Sequence, residues 1–204
     1  MAVAGTAPNS YPHGMRALLP LFAIALVLPA CGQQQDAANN DAADDAIGIP
    51  VKGVDRGQKG QPAPDAKFLD PDGGEISLAD FKGTPVLVNL WATWCAPCVK
   101  ELPTINAITR EHDKDGTLGV IAVSQDMGEQ GSVEAFLAKL KVDDLGAYHD
   151  PKMALSGALN AQVLPTTILY DADGKEVWRY VGDLDWTSDE ARKLLAEVPA
   201  AGKG

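Results

Sequence analysis

Cysteine is scarce in this chain of 204 residues: Cys31, Cys95 and Cys98 are all there is. So few thiols exclude a small scaffold stapled by disulfides, and two of them lie close enough to act together. Basic residues are also short, 17 Lys and Arg against 28 Asp and Glu, for a formal charge of −11. A balance that acidic repels nucleic acid and an anionic membrane face, so any link to a membrane must be hydrophobic. Long apolar runs are missing as well. The uncharged stretch at residues 17–30 covers only about 21 Å as a helix, at ~1.5 Å per residue, against a bilayer core of roughly 30 Å. There is no internal repeat. What the chain does have is 46% hydrophobic residues, enough to build the core of one ordinary domain.

The run at 17–30 follows Arg16 and ends in small residues, the layout of a secretory signal. Leu28-Pro29-Ala30-Cys31 resembles a bacterial lipobox, which implies acylation of Cys31 and a mature chain that begins there. Met15 offers an alternative start, because the residues before it add neither charge nor apolar length. Loss of residues 1–30 removes one basic residue, Arg16, and leaves a charge of −12. Residues 31–60 read as an acidic, disordered tether: QQQDAANNDAADDA has only alanine as apolar content, and residues 47–60 are glycine-rich and irregular. The folded domain is expected over 61–198, with a short tail at 199–204.

The informative stretch is VLVNLWATWCAPCVKELP at residues 86–103. Its apolar first half predicts a buried strand, and Cys95-Ala96-Pro97-Cys98 then opens a segment of helical periodicity. Both thiols therefore fall at a helix N-terminus, where free N–H groups and the positive end of the dipole stabilise a thiolate. Pro97 suits a first turn, which needs no N–H from it. Cys95 is the natural nucleophile, and Cys98, one turn deeper, can close or resolve a disulfide.

Three other readings fit the same pair. Half of a zinc site needs two more ligands; His112 has the right spacing, but Gly116, Thr117 and Leu118 stand where a second histidine should follow. A structural disulfide would close too short a loop to remove much chain entropy. A copper site built from both thiols and His149 suits the softness of those ligands and is the main alternative. His112 and His149 are otherwise expected at the surface.

WATWCAPC, taken with Leu164-Pro165-Thr166-Thr167 downstream, resembles the thioredoxin superfamily, in particular the membrane-tethered TlpA/ResA-type thiol–disulfide oxidoreductases. The resemblance runs from about Gln61 to Val198, and residues 181–190 are TlpA-like. It implies an α/β thioredoxin-like fold, a mixed central sheet with helices on both faces and an N-terminal β-hairpin. It also implies that Leu164, Pro165 and Thr166 form a cis-proline loop against the reactive cysteine, with Trp94, Ala96 and Pro97 lining the substrate site. The expected partners are disulfide-containing proteins and a membrane thiol donor, in cytochrome c maturation or copper-site assembly. No metal and no cofactor is implied beyond the redox-active pair Cys95–Cys98.

Along the helix, Cys98, Glu101, Leu102, Ile105 and Ile108 share one face. A carboxylate on an apolar stripe beside the deeper thiol is costly unless protonated or paired, so Glu101 is a candidate proton acceptor for Cys98. The family resemblance, which places a glutamate here, supports that role. Asn89 departs from ordinary thioredoxin, which resembles this strand but carries a buried aspartate. Pro103 is expected to kink the helix. Elsewhere, strands are predicted at 67–69, 75–78, 118–124, 166–170 and 176–181, and helices at 97–112, 133–140, 152–159 and 188–198.

Overall fold

The computed structural model describes residues 51–114 and 116–198; the signal segment, Cys31, most of the tether and the tail lie outside them. Among the described residues eight strands form one mixed sheet: β1 (Gly53–Asp55), β2 (Phe68–Leu69), β3 (Glu75–Ile76), β4 (Val86–Trp91), β5 (Gly119–Ser124), β6 (Tyr148–His149), β7 (Thr166–Tyr170) and β8 (Glu176–Val181). Their order is β1-β8-β7-β4-β5-β6-β2-β3, with β4, β5 and β6 parallel and the remaining pairs antiparallel. β4 is buried at every residue because it is central and covered on both faces, which is why it reads as a continuous apolar run.

Alternation along the strands feeds two cores. Leu87, Trp91, Val120, Ala122 and Leu169 face the helices α1 (Ala96–His112), α2 (Gln130–Leu140) and α4 (Asp189–Leu195). Val88, Leu90, Ile121, Val123 and Ile168 face α3 (Ala154–Ala158) and a 3-10 turn at Leu78–Phe81. The sheet thus carries helices on both sides, as a thioredoxin-like fold requires, and β2–β3 is the expected N-terminal hairpin.

Three expectations need correction. Residues 53–55 are not irregular chain: they pair with β8 and extend the sheet before Gln61. Gly53 takes a positive φ of 130°, so this glycine serves backbone geometry at the start of a strand. Ser77 and Leu78 do not continue β3. Ser77 caps the 3-10 turn, its backbone N–H donating to Asp80 at 2.7 Å, which diverts the chain. His149 is not a surface residue; it is 1% exposed on β6, between β5 and β2, with Nε2 at 2.7 Å from the carbonyl of Asp126. α1 is assigned as one helix with Pro103 inside it.

Candidate active site

β4 ends at Trp91, and a short turn leads into α1. Cys95 caps that helix: its backbone is extended, its N–H donates to the carbonyl of Ala92 at 3.1 Å, and its sulfur accepts from the N–H of Cys98 at 3.4 Å. A helix start aims free N–H groups and partial positive charge at the sulfur, which favours its thiolate. Cys95 and Cys98 form a disulfide with Cα atoms 5.3 Å apart. The first is 6% exposed and the second 0%, so an incoming sulfur reaches only Cys95. Ala96 and Pro97 are exposed on the first turn, and Trp94 projects with 70% exposure, whereas Trp91 is buried and packs against Phe136.

One helical turn beyond Cys98, Glu101 is 3% exposed on the same inward face. Oε1 accepts from Nδ2 of Asn89 at 2.7 Å; Oε2 accepts from the N–H of Leu184 at 3.1 Å and from Nε1 of Trp186 at 3.4 Å. Burial pushes the carboxyl up from 4.5 to about 7, and the three hydrogen bonds only partly offset that loss of solvent. Asp183 adds to the rise by like charge. A pocket of about 160 Å³, lined by Lys100, Thr104, Asp183, Leu184 and Asp185, opens onto Glu101 from the flank of α1. Glu101 is thus a buried acid poised near neutrality, with its own way out to solvent.

Asn89 also donates to Oγ1 of Thr167 at 2.9 Å, its partner in the β4–β7 register, while its Oδ1 is buried without a partner among the described residues. A half-turn of this amide would place Oδ1 against Glu101. The network can therefore serve either a carboxylate, which needs a donor, or a carboxylic acid, which needs an acceptor.

The Leu164–Pro165 peptide is cis, as the resemblance implied. Thr166 pairs with Leu90, so Pro165 stands beside the end of β4, at the same end of the sheet as Cys95. The carbonyl of Pro165 accepts from the N–H of Gly182 at 2.9 Å, and Gly182 has φ 93°, a conformation that favours glycine. That bond joins the proline loop to the segment that supplies Leu184 and Trp186.

Leu184, Trp186 and Thr167 complete this network without any local sequence signal that predicts it. Trp186 lies in the TlpA-like stretch 181–190, but nothing local marks its indole as a donor to Glu101, and a backbone N–H such as that of Leu184 leaves no mark in a sequence. Cys95, Cys98 and His149 do not come together: among the described residues no group of three or more His, Cys, Asp or Glu side chains could hold a metal ion.

A dithiol that begins a helix after a central strand, with a proline loop beside it and a buried acid beneath it, defines a thiol–disulfide exchange protein of the thioredoxin fold. Comparison with known proteins agrees. The Redoxin family model matches residues 58–195. The thiol-disulfide oxidoreductase ResA of Bacillus cereus is 34% identical over 126 residues, covering 62% of this chain and 71% of that one. The thioredoxin-like protein YneN of Bacillus subtilis is 34% identical over 118 residues, covering 57% and 68%. Among solved structures, one from Chlorobium tepidum assigned to the thiol:disulfide interchange protein DsbE aligns with a TM-score of 0.59 and 28% identity, covering 68% of this chain and 96% of that one. The exposed lipoprotein thioredoxin Etrx1 of Streptococcus pneumoniae aligns at 0.56 and 25%, covering 66% and 100%. This chain belongs to the Redoxin family and is a ResA-type thiol–disulfide oxidoreductase of the thioredoxin superfamily.

Proposed function

We propose that the protein reduces disulfides in partner proteins outside the cytoplasm, held to a membrane by a lipid on Cys31. The observation that carries the direction of electron flow is Glu101, a buried acid one turn from the buried thiol. In the reduced protein the Cys95 thiolate attacks a partner disulfide; a Cys95–partner S–S bond forms and the departing partner sulfur takes a proton from solvent. Cys98 then gives its proton to Glu101 and attacks Cys95. The Cys95–Cys98 bond closes, and the second partner sulfur leaves as a thiolate that is protonated in turn. The partner gains two electrons and two protons. The proton on Glu101 leaves through the flanking pocket lined by Lys100, Thr104 and Asp183. The dithiol is itself the redox group, so the reaction calls for no cofactor.

Neither Ala96 nor Pro97 supplies a cation that would over-stabilise the Cys95 thiolate, and Glu101 beside Cys98 opposes ionisation there. The reduced form is therefore not favoured, and the potential belongs nearer the thioredoxin end, ~−270 mV, than the ~−120 mV of a strong oxidant. Such a reductant in an oxidising compartment needs recharging, which fits a membrane thiol donor and substrates in cytochrome c maturation or copper-site assembly. The short apolar run ending at Cys31 and the pneumococcal lipoprotein relative support the anchor. Expression of Cys98→Ser in a native host tests the reading: Cys95-linked partners should accumulate as mixed disulfides that dithiothreitol releases. If Cys98→Ser captures no more partner than Cys95→Ser, the proposal fails. Mass spectrometry of the mature N-terminus tests the anchor, which an unacylated Cys31 would remove.

A further inference from the structure

Four large apolar side chains are markedly exposed among the described residues: Val51, Trp94, Met127 and Met153. They do not scatter. Trp94 and Met127 each lie three residues beyond the paired positions Trp91 and Ser124, where the parallel strands β4 and β5 end. Met153 follows the end of β6, and Val51 precedes Gly53, which pairs with Val181 at the end of β8. All four therefore sit at the end of the sheet that carries Cys95.

Two of them are also tied together. Asp126 accepts from the N–H of Thr93 at 2.9 Å and from its hydroxyl at 2.7 Å, and it accepts a third bond from Oγ of Ser124 at 2.7 Å. Its backbone is held from the other side by His149. Trp94 directly follows Thr93, and Met127 directly follows Asp126, so this clasp fixes the spacing of two otherwise free apolar side chains. Met127 is 77% exposed, and solvent alone gives a flexible thioether no reason to be there.

We propose that Trp94 and Met127, set by the Thr93–Asp126 clasp, form a fixed apolar platform beside Cys95 that selects partner disulfides with an apolar side chain next to the reacting cysteine. The proposal deepens the reductase reading and rests on it. Any partner joined covalently to Cys95 must lay the residues beside its own cysteine across Trp94, and Met127 is the next apolar surface along the same edge. Thr93 and Asp126 are positioning residues; Met127 determines specificity.

The test compares reduction of two peptide disulfides, one with leucine and one with serine beside each cysteine, and of oxidised glutathione. Met127→Ser should lower kcat/KM for the leucine peptide roughly tenfold, the scale expected when a buried methionine contact is lost, and chiefly through KM. The serine peptide and oxidised glutathione should change less than twofold, and Met127→Leu should restore the leucine peptide. Asp126→Ala should lose the same preference while Met127 is still present. Equal effects on all three substrates, or none on any, would overturn the platform. A wild-type protein that reduced glutathione but showed no peptide preference would overturn it while leaving the reductase reading intact, and one that reduced none of the three would overturn both.

Discussion

Asn89 in the central strand donates to Glu101 in the active-site helix at 2.7 Å, so the strand that leads into the dithiol also holds the acid beneath it. This bond ties the electrostatics of the site to the middle of the sheet. Residue 89 is fully buried, and its side chain faces α1 because Leu87 and Trp91 on the same face do.

Glu101 should make stability depend on pH. Its carboxyl rises from 4.5 to about 7 on folding, so the folded protein holds this proton more tightly than the unfolded chain. The group adds no penalty below the unfolded value. The penalty grows as pH rises between the two values and levels off above the folded one, reaching about 3 kcal/mol. Glu101→Gln removes the ionisation, and the free Oδ1 of Asn89 lets the amide turn to accept from the new NH₂. Urea unfolding of the disulfide form at pH 5 and pH 8 should show the variant gaining stability relative to wild type at the higher pH. Parallel pH profiles would show that Glu101 is not titrating as a buried acid.

Asn89→Ala removes a hydrogen bond that holds the Glu101 carboxyl down, so the midpoint of Glu101 should move above about 7. It also leaves a gap and takes a donor from Thr167, at a cost of roughly 1–3 kcal/mol. Infrared titration of the buried carboxyl measures the first effect and urea unfolding the second. A midpoint that fell or stayed put would separate Asn89 from the acid.

Stability away from the dithiol should centre on Arg179 and Glu176, a forked pair with both N···O distances at 2.8 Å and Glu176 buried. Arg179 also donates to the carbonyl of Leu159 at 2.9 Å. Arg179→Ala strands a buried carboxylate and should cost about 3–5 kcal/mol, whereas Arg179→Met with Glu176→Leu should cost far less. Equal losses in urea would mean that packing, and not the uncompensated charge, dominates there.

The sequence made the dithiol helix and the four long strands legible because each had a strong local signal: a continuous apolar run, a 3.6-residue stripe, or an Asp-Ala-Asp-Gly turn between β7 and β8. Glu101 was legible because it broke such a stripe. β1 and β6 were not: strands of two or three residues have no period to read, and neither is flanked by a turn such as the one at residues 70–74 that marks the equally short β2 and β3. The burial of His149 follows from the same cause, as nothing local says that β6 lies between two strands. The cis Leu164–Pro165 bond came from family resemblance, because a proline before a strand is trans far more often than cis. The donors that hold Glu101 come from residues 89, 184 and 186, brought together only by the completed fold.

Glu101 serves as the base for Cys98, and the rate at which a mixed disulfide resolves tests that role most directly. A thiol-containing peptide linked to Cys95 can be released in a stopped-flow instrument from pH 5 to pH 9 and followed by the peptide thiol that appears. In the wild type the rate should rise with a midpoint near the Glu101 value of about 7. In Glu101→Gln that inflection should vanish and the rate at neutral pH should fall by about 10²-fold, the lower end for loss of a general base. The same midpoint and the same rate in Glu101→Gln would contradict the account.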